Sequence, residues 1–289
     1  VRLKTPLRLR TAAATGIVVA LSVAASGPAA ATPTVGAYVA LGDSYVAGPG
    51  IPQTVDDSGI CARSDHNYPS LVARAAAPTA FMDVSCSGAV TNDMTGRQLG
   101  IAPQFDALTS DTGLVTLTIG GNDAGFAGIV VTCVVLSFSD PTGAPCEKNY
   151  DSGGTDQILQ KLNETAPKVG AVIQGIHQRS PQARVAVVGY PDLLPDTKSK
   201  CAVDVPVATG DVPYLNGIEQ RLNQLLSAQA AANGAEFVDT YSSGVGHDLC
   251  QAAGTRWVEG LLDVQDAAPI HPNALGMANT AAQVLSGLR

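Results

Sequence analysis

The sequence predicts an α/β fold: a mostly parallel sheet covered by helices on both faces. Three observations carry this. Short apolar runs alternate with segments of helical periodicity. Most of the runs lead into a glycine or polar turn. No internal repeat or linker divides the chain, so residues 32–289 read as one domain.

The first run is Ala37-Tyr-Val-Ala-Leu41, and the second, Leu114-Val-Thr-Leu-Thr-Ile119, is rich in β-branched residues. Arg184-Val-Ala-Val-Val188 is the third, and Glu236-Phe-Val-Asp239 a weaker fourth. Between and after them lie helices. Thr155 is a candidate cap for a run in which Ile158, Leu162, Val169, Ile173 and Ile176 recur near helical spacing, with Pro167 expected to interrupt or kink it. Tyr214 to Ala232 carries Leu215, Ile218, Leu222, Leu225 and Leu226 on one face. Asn273 precedes a last helix with Leu275, Ala278, Ala281 and Leu285. Residues 124–154 and 190–213 show little periodicity. Each contains cysteine, so disulfides are expected to hold them as walls of a cleft.

Composition removes several function classes. The chain has 289 residues, 45% of them hydrophobic, which excludes a wholly disordered protein. Lys and Arg number 17 against 25 Asp and Glu, a net charge of −8, and a nucleic-acid binder needs a basic surface instead. The charge is uneven. Arg2, Lys4, Arg8 and Arg10 open the chain, and no acid precedes Asp43. An apolar stretch from Ala12 to Ala25 follows, then small residues at Ala29 and Ala31 in an A-x-A arrangement. Residues 1–31 therefore read as a secretory signal peptide cleaved after about Ala31. The apolar run is shorter than the roughly 20 residues a membrane span needs. No cysteine near the cleavage site offers a lipid attachment point, so no stable membrane anchor is expected. The remaining 258 residues carry 13 bases against 25 acids, a net of −12.

Cys61, Cys86, Cys133, Cys146, Cys201 and Cys250 form an even set behind a signal peptide, which argues for three disulfides. Zinc is disfavoured, because no C-x-x-C or H-x-x-x-H pair exists. Six cysteines allow fifteen pairings, and sequence alone does not choose among them. The expectation is the set that closes the shortest loops, 61–86, 133–146 and 201–250.

Ligands of parallel α/β sheets sit beyond the strands' carboxyl ends, so the loops there come first. Gly42-Asp43-Ser44-Tyr45 puts a serine on a strand-to-helix turn, a nucleophile position; as a good N-cap residue, Ser44 also fits a purely structural part. Gly120-Gly121-Asn122-Asp123 offers the Asn122 amide as a donor to a developing oxyanion, or forms a plain turn. Cys86-Ser87-Gly88-Ala89 offers the Gly88 N–H where a side chain would block a ligand. Ile270-His271-Pro272-Asn273 places a histidine on a loop before the last helix, as a general base would be. His66, His177 and His247 read as surface or structural residues.

Singly these signals are weak, but their order is specific. Gly42-Asp43-Ser44, Gly88, Gly121-Asn122-Asp123 and His271-Pro272 run in sequence across most of the chain. In this the sequence resembles the SGNH (GDSL-type) hydrolases, most closely the secreted actinobacterial branch of esterases and lipases with three disulfides. The resemblance implies a three-layer α/β/α sandwich (flavodoxin-like SGNH hydrolase fold) and nearest-neighbour disulfides. It implies Ser44 as nucleophile and His271 as base. Ser44 N–H, Gly88 N–H and the Asn122 amide would form the oxyanion hole. No metal or cofactor is needed, the expected partner is a small-molecule or lipid ester as substrate, and nothing in the sequence demands more than a monomer.

One position departs from the pattern. The family's usual aspartate, three residues before the histidine, is Ala268 here. A main-chain carbonyl, of Ala268 or a neighbour, is the expected substitute. Asp266 or Asp263 reaching in from a shifted loop is a second reading, and a crippled site a third. The expected function is a secreted carboxylesterase or lipase working by Ser–His acyl transfer. A phospholipase, an acetyl-sugar esterase, or a binding protein on an inactive scaffold are the alternatives.

Overall fold

The computed structural model describes Val1 and residues 35–197 and 206–289. The proposed signal peptide therefore lies outside the described residues, as does Cys201.

The described chain begins with β1 (Ala37–Gly42), a four-residue helix α1 (Ser44–Ala47) and α2 (Tyr68–Ala76). It continues through β2 (Ala80–Asp83), β3 (Thr112–Thr118), α3 (Phe126–Ser137), α4 (Pro145–Tyr150) and α5 (Gln157–Arg179). It ends with β4 (Arg184–Val188), α6 (Val212–Ala232), β5 (Glu236–Val238), α7 (Tyr241–Gly244) and α8 (Ala274–Gly287). The strands form one sheet in the order β2-β1-β3-β4-β5, and every pairing is parallel.

The period-two side-chain alternation of a strand makes the layers. Val39 and Leu41, Val115 and Leu117, and Val185 and Val187 pack with Val169 and Ile173 of α5 and Leu222 and Leu226 of α6. The intervening Tyr38 and Ala40, Leu114, and Ala186 and Val188 pack on the other face with Val72 of α2 and Met277, Ala281 and Val284 of α8. Helices thus cover both sides, as an all-parallel sheet requires.

Four strands fall where the apolar runs predict them. The fifth, β2, has no such run. Ala80, Phe81 and Met82 are exposed because β2 is an edge strand, held by backbone pairing to β1 rather than by burial. The cap of α5 is Asp156 rather than Thr155; its carboxylate accepts from the N–H groups of Ile158 and Leu159. Pro167 sits inside α5 without ending it. Pro167 has no N–H for the Asn163 carbonyl, and both residues lie on the exposed side of α5, away from the core. Residues 124–154 are not irregular but contain α3 and α4, joined by Cys133–Cys146. Cys61–Cys86 is also formed. The expected partner of Cys250, Cys201, is outside the described residues.

Candidate active site

β1 delivers the serine. Its last residue, Gly42, has φ 142°, and a Cβ there would lie 2.4 Å from the Thr118 carbonyl oxygen, so only glycine fits. The buried Gln104 side chain clamps the same peptide. Its Oε1 accepts from Gly42 N–H at 2.7 Å, and its Nε2 donates to Gly42 O at 2.8 Å. Asp43 caps α1, its Oδ1 accepting from Tyr45 N–H at 2.9 Å. Ser44 is therefore not the cap, and its hydroxyl is free for another partner. That partner is His271, with Oγ and Nε2 2.8 Å apart.

Asp43 is buried, and burial pushes its carboxyl up to about 7 against the hydrogen bonds from Tyr190 and Tyr45. Tyr190 links two loops: its hydroxyl donates to Asp43 Oδ2 at 2.6 Å and accepts from Gly121 N–H at 2.9 Å. The serine turn and the Gly121-Asn122 turn are thereby fixed to each other. Tyr190 lies just beyond the carboxyl end of β4, and no motif in the sequence marks it.

On the histidine side, Nδ1 is 2.7 Å from the Pro269 carbonyl oxygen. A carbonyl only accepts, so Nδ1 carries the proton and Nε2 offers its lone pair to the serine hydroxyl. The carbonyl beside Nδ1 belongs to Pro269, the residue after Ala268. Ala268's own carbonyl accepts the His271 backbone N–H at 3.2 Å and is spent in the turn. Asp266 is exposed, and Asp263 is held by Arg256 and Gln265. Burial lowers the His271 pKa below its usual value, partly offset by the Pro269 carbonyl.

The turn carrying His271 is strained. Ile270 has φ 59°, which a β-branched residue rarely adopts. Three contacts impose it: Ile270 N–H reaches the Glu259 carbonyl at 3.2 Å, Tyr45 Oη donates to Ile270 O at 2.7 Å, and the Tyr45 ring lies 5.0 Å from the imidazole. Behind the turn is a buried ion pair, Arg256 Nη2 to Glu259 Oε2 at 2.8 Å, each side chain only 3% exposed. Asn273, the cap of α8, donates to Glu259 Oε1 at 3.0 Å. Glu259→Ala leaves the guanidinium buried without its main partner. We expect a loss of about 3–5 kcal/mol of stability in urea unfolding.

The remaining two blocks meet through Asn122, whose Nδ2 donates to the Ala89 carbonyl at 2.9 Å. Asp123 braces the same junction, accepting from Thr91 N–H at 2.9 Å and Thr91 Oγ1 at 2.5 Å. Gly88 has φ 79°, and its α-carbon faces open space apart from Gln98 Nε2. Ser44, Asn122 and His271 line one cavity of about 320 Å³. Most of its other walls are apolar, among them Phe126, Ile129 and Val134 of α3, Leu162 of α5 and Leu222 of α6. Glu219 of α6 also borders it; burial raises its carboxyl well above the usual range, and it holds Leu193 N–H at 3.0 Å.

A parallel α/β sheet carrying a paired serine and histidine over an apolar cavity has the form of a carboxylic ester hydrolase. Residues 40–278 match the GDSL-like Lipase/Acylhydrolase family, and the chain belongs to that family. It is 41% identical to a lipase of Streptomyces coelicolor, over 91% of this chain and 89% of that one. It is 33% identical to an esterase of Streptomyces scabiei, over 90% and 87%. Among solved structures, a phospholipase A1 from Streptomyces albidoflavus superposes with a TM-score of 0.74 at 32% identity, covering 88% of this chain and all of the other. An extracellular lipase from Streptomyces rimosus gives 0.69 at 30%, over 88% and 99%. The protein is a lipase or esterase, and its substrate is a lipid or other ester.

Proposed function

We propose that the protein hydrolyses neutral acyl esters by two-step acyl transfer, with Ser44 as nucleophile and His271 as base. The observation that carries this is the 2.8 Å contact between Ser44 Oγ and His271 Nε2, with Nδ1 committed to a carbonyl. His271 takes the hydroxyl proton as Oγ attacks the ester carbonyl carbon. Ser44 N–H, Gly88 N–H and the Asn122 amide hold the oxyanion. The imidazolium then protonates the leaving alcohol, and water repeats the sequence on the acyl-enzyme. The Pro269 carbonyl takes the place of the family's aspartate: it sets the tautomer but brings no charge to stabilise the imidazolium.

The apolar cavity suits the acyl chain, and a net charge of −8 disfavours anionic bilayers. A phospholipase is the second reading, supported by the similarity to the Streptomyces albidoflavus phospholipase A1. Secretion, with cleavage near Ala31, is part of the proposal, supported by the disulfides and by the similarity to an extracellular lipase.

The test is labelling with a fluorophosphonate, read by mass spectrometry. Adduct on the Ser44 peptide, lost in His271→Ala, supports the mechanism; an unlabelled Ser44 favours an inactive binding scaffold. p-Nitrophenyl esters from acetyl to palmitoyl then separate esterase from lipase.

The pH dependence follows from burial. The charged imidazole is disfavoured, so the neutral base persists to lower pH than a free histidine. kcat/KM for p-nitrophenyl butyrate should rise with pH and level off, with its midpoint on the acid side of about 6.5. A midpoint above 7 would contradict a buried, neutral His271.

A further inference from the structure

We propose that the outer face of α3 is the surface by which the enzyme rests on an uncharged lipid aggregate. The proposal deepens the acyl-ester reading and rests on it.

A helix that is apolar all round belongs in a core or in lipid. α3 reads Phe-Ala-Gly-Ile-Val-Val-Thr-Cys-Val-Val-Leu-Ser, and no charged residue occurs from Ala124 to Ser139. Only one of its faces is used by the fold, where Ile129 and Cys133 are buried. The opposite face leaves Val131 62%, Val135 61% and Phe138 78% exposed. These lie at helical spacing, so they form one stripe rather than scattered surface residues.

Continuity with the cavity identifies the occupant. Ala127 and Val131 stand on the exposed stripe and also line the cavity that holds Ser44 and His271. The stripe therefore runs from the cavity wall outward, ending at Val135 and Phe138. Leu261 also lines the cavity, and the next residue, Leu262, is 67% exposed. A surface laid against this stripe is the surface from which an acyl chain would enter. Its charge is set as well. The stripe itself carries no charged residue to attract anionic headgroups. At its far end Asp140 is paired with Lys148 at 3.9 Å, and the net charge of the chain, −8, is unfavourable to an anionic surface. A zwitterionic or neutral lipid surface fits; an anionic one does not.

The test uses Val135→Gln/Phe138→Gln, two positions away from the cavity. Binding is measured by flotation with phosphatidylcholine vesicles in a Ser44→Ala background, so that the lipid survives. Turnover is measured on emulsified tributyrin and on dissolved p-nitrophenyl acetate with Ser44 intact. We expect the double variant to lose at least tenfold in vesicle partition and in emulsion turnover, with p-nitrophenyl acetate hydrolysis within twofold. Equal partition and turnover in both proteins would overturn the proposal, as would tighter binding to phosphatidylglycerol vesicles. A wild-type dimer in sedimentation that the variant dissolves would assign the stripe to a second copy instead. The soluble substrate separates the two failures: if it too is not cleaved, the hydrolase reading has failed, not only the docking surface.

Discussion

Ser44→Ala should lower kcat on p-nitrophenyl butyrate by about 10⁴- to 10⁶-fold, while KM stays within a few-fold. The magnitude follows from the absence of a replacement nucleophile at the end of β1. The variant should fold normally. α1 is capped by Asp43 rather than Ser44, and the Ser44 hydroxyl bonds to His271. Unfolding free energy should therefore change by no more than about 0.5 kcal/mol. His271→Ala should cost a similar factor, and the double variant little more than either single, because the two groups act as one unit. Additive losses, or a Ser44→Ala enzyme keeping a tenth of its activity, would move the nucleophile elsewhere.

The parts of this molecule that were legible in the sequence are those written in short contiguous runs. Ala37–Leu41 and Arg184–Val188 carry their burial in their own side chains, and so does the α8 cap, Asn273. The four blocks around Ser44, Gly88, Asn122 and His271 were legible because each is a tight turn with its glycine, proline or cap residue adjacent. The illegible parts depend on distant partners. Gln104 clamps Gly42 across 62 residues, and Tyr190 reaches Asp43 across 147. Neither has a local signature. Glu219 looks like a surface glutamate on an amphipathic helix until α6 turns it toward the cavity. α3 was hidden for the opposite reason. A helix apolar on every face has no 3.6-residue contrast to detect, and that same uniformity leaves Val131, Val135 and Phe138 in water.

The missing aspartate illustrates how little of a charge relay the geometry demands. In serine hydrolases, exchanging the orienting carboxylate for an amide costs about 10⁴ in kcat because the histidine adopts the wrong tautomer. A carbonyl avoids that failure, since it accepts and never donates. In the proposed mechanism the Pro269 carbonyl, 2.7 Å from Nδ1, would supply the part of the aspartate that fixes geometry. What it lacks is negative charge beside the imidazolium. Charge stabilisation in such a site would then fall more heavily on the oxyanion donors.

Asn122→Ala is consequently the second large effect, a loss of about 10²- to 10³-fold in kcat with KM little changed. One N–H of the Asn122 amide is given to the Ala89 carbonyl at 2.9 Å. In the proposed mechanism that bond would fix the side chain's orientation and leave the second N–H for the oxyanion. Preorganisation of this kind gives an oxyanion donor its worth, because nothing reorganises as charge develops. Removing the amide also frees the Gly88 loop from the Asn122 loop. Asn122→Asp separates the two contributions: it retains the side chain's size, cannot donate when ionised, and repels the oxyanion. If positioning of the Gly88 loop were the whole role, Asn122→Asp and Asn122→Ala would lose activity equally. If oxyanion stabilisation dominates, Asn122→Asp should be the poorer enzyme at pH 8, and should recover relative to Asn122→Ala as the pH is lowered toward the aspartate's pKa.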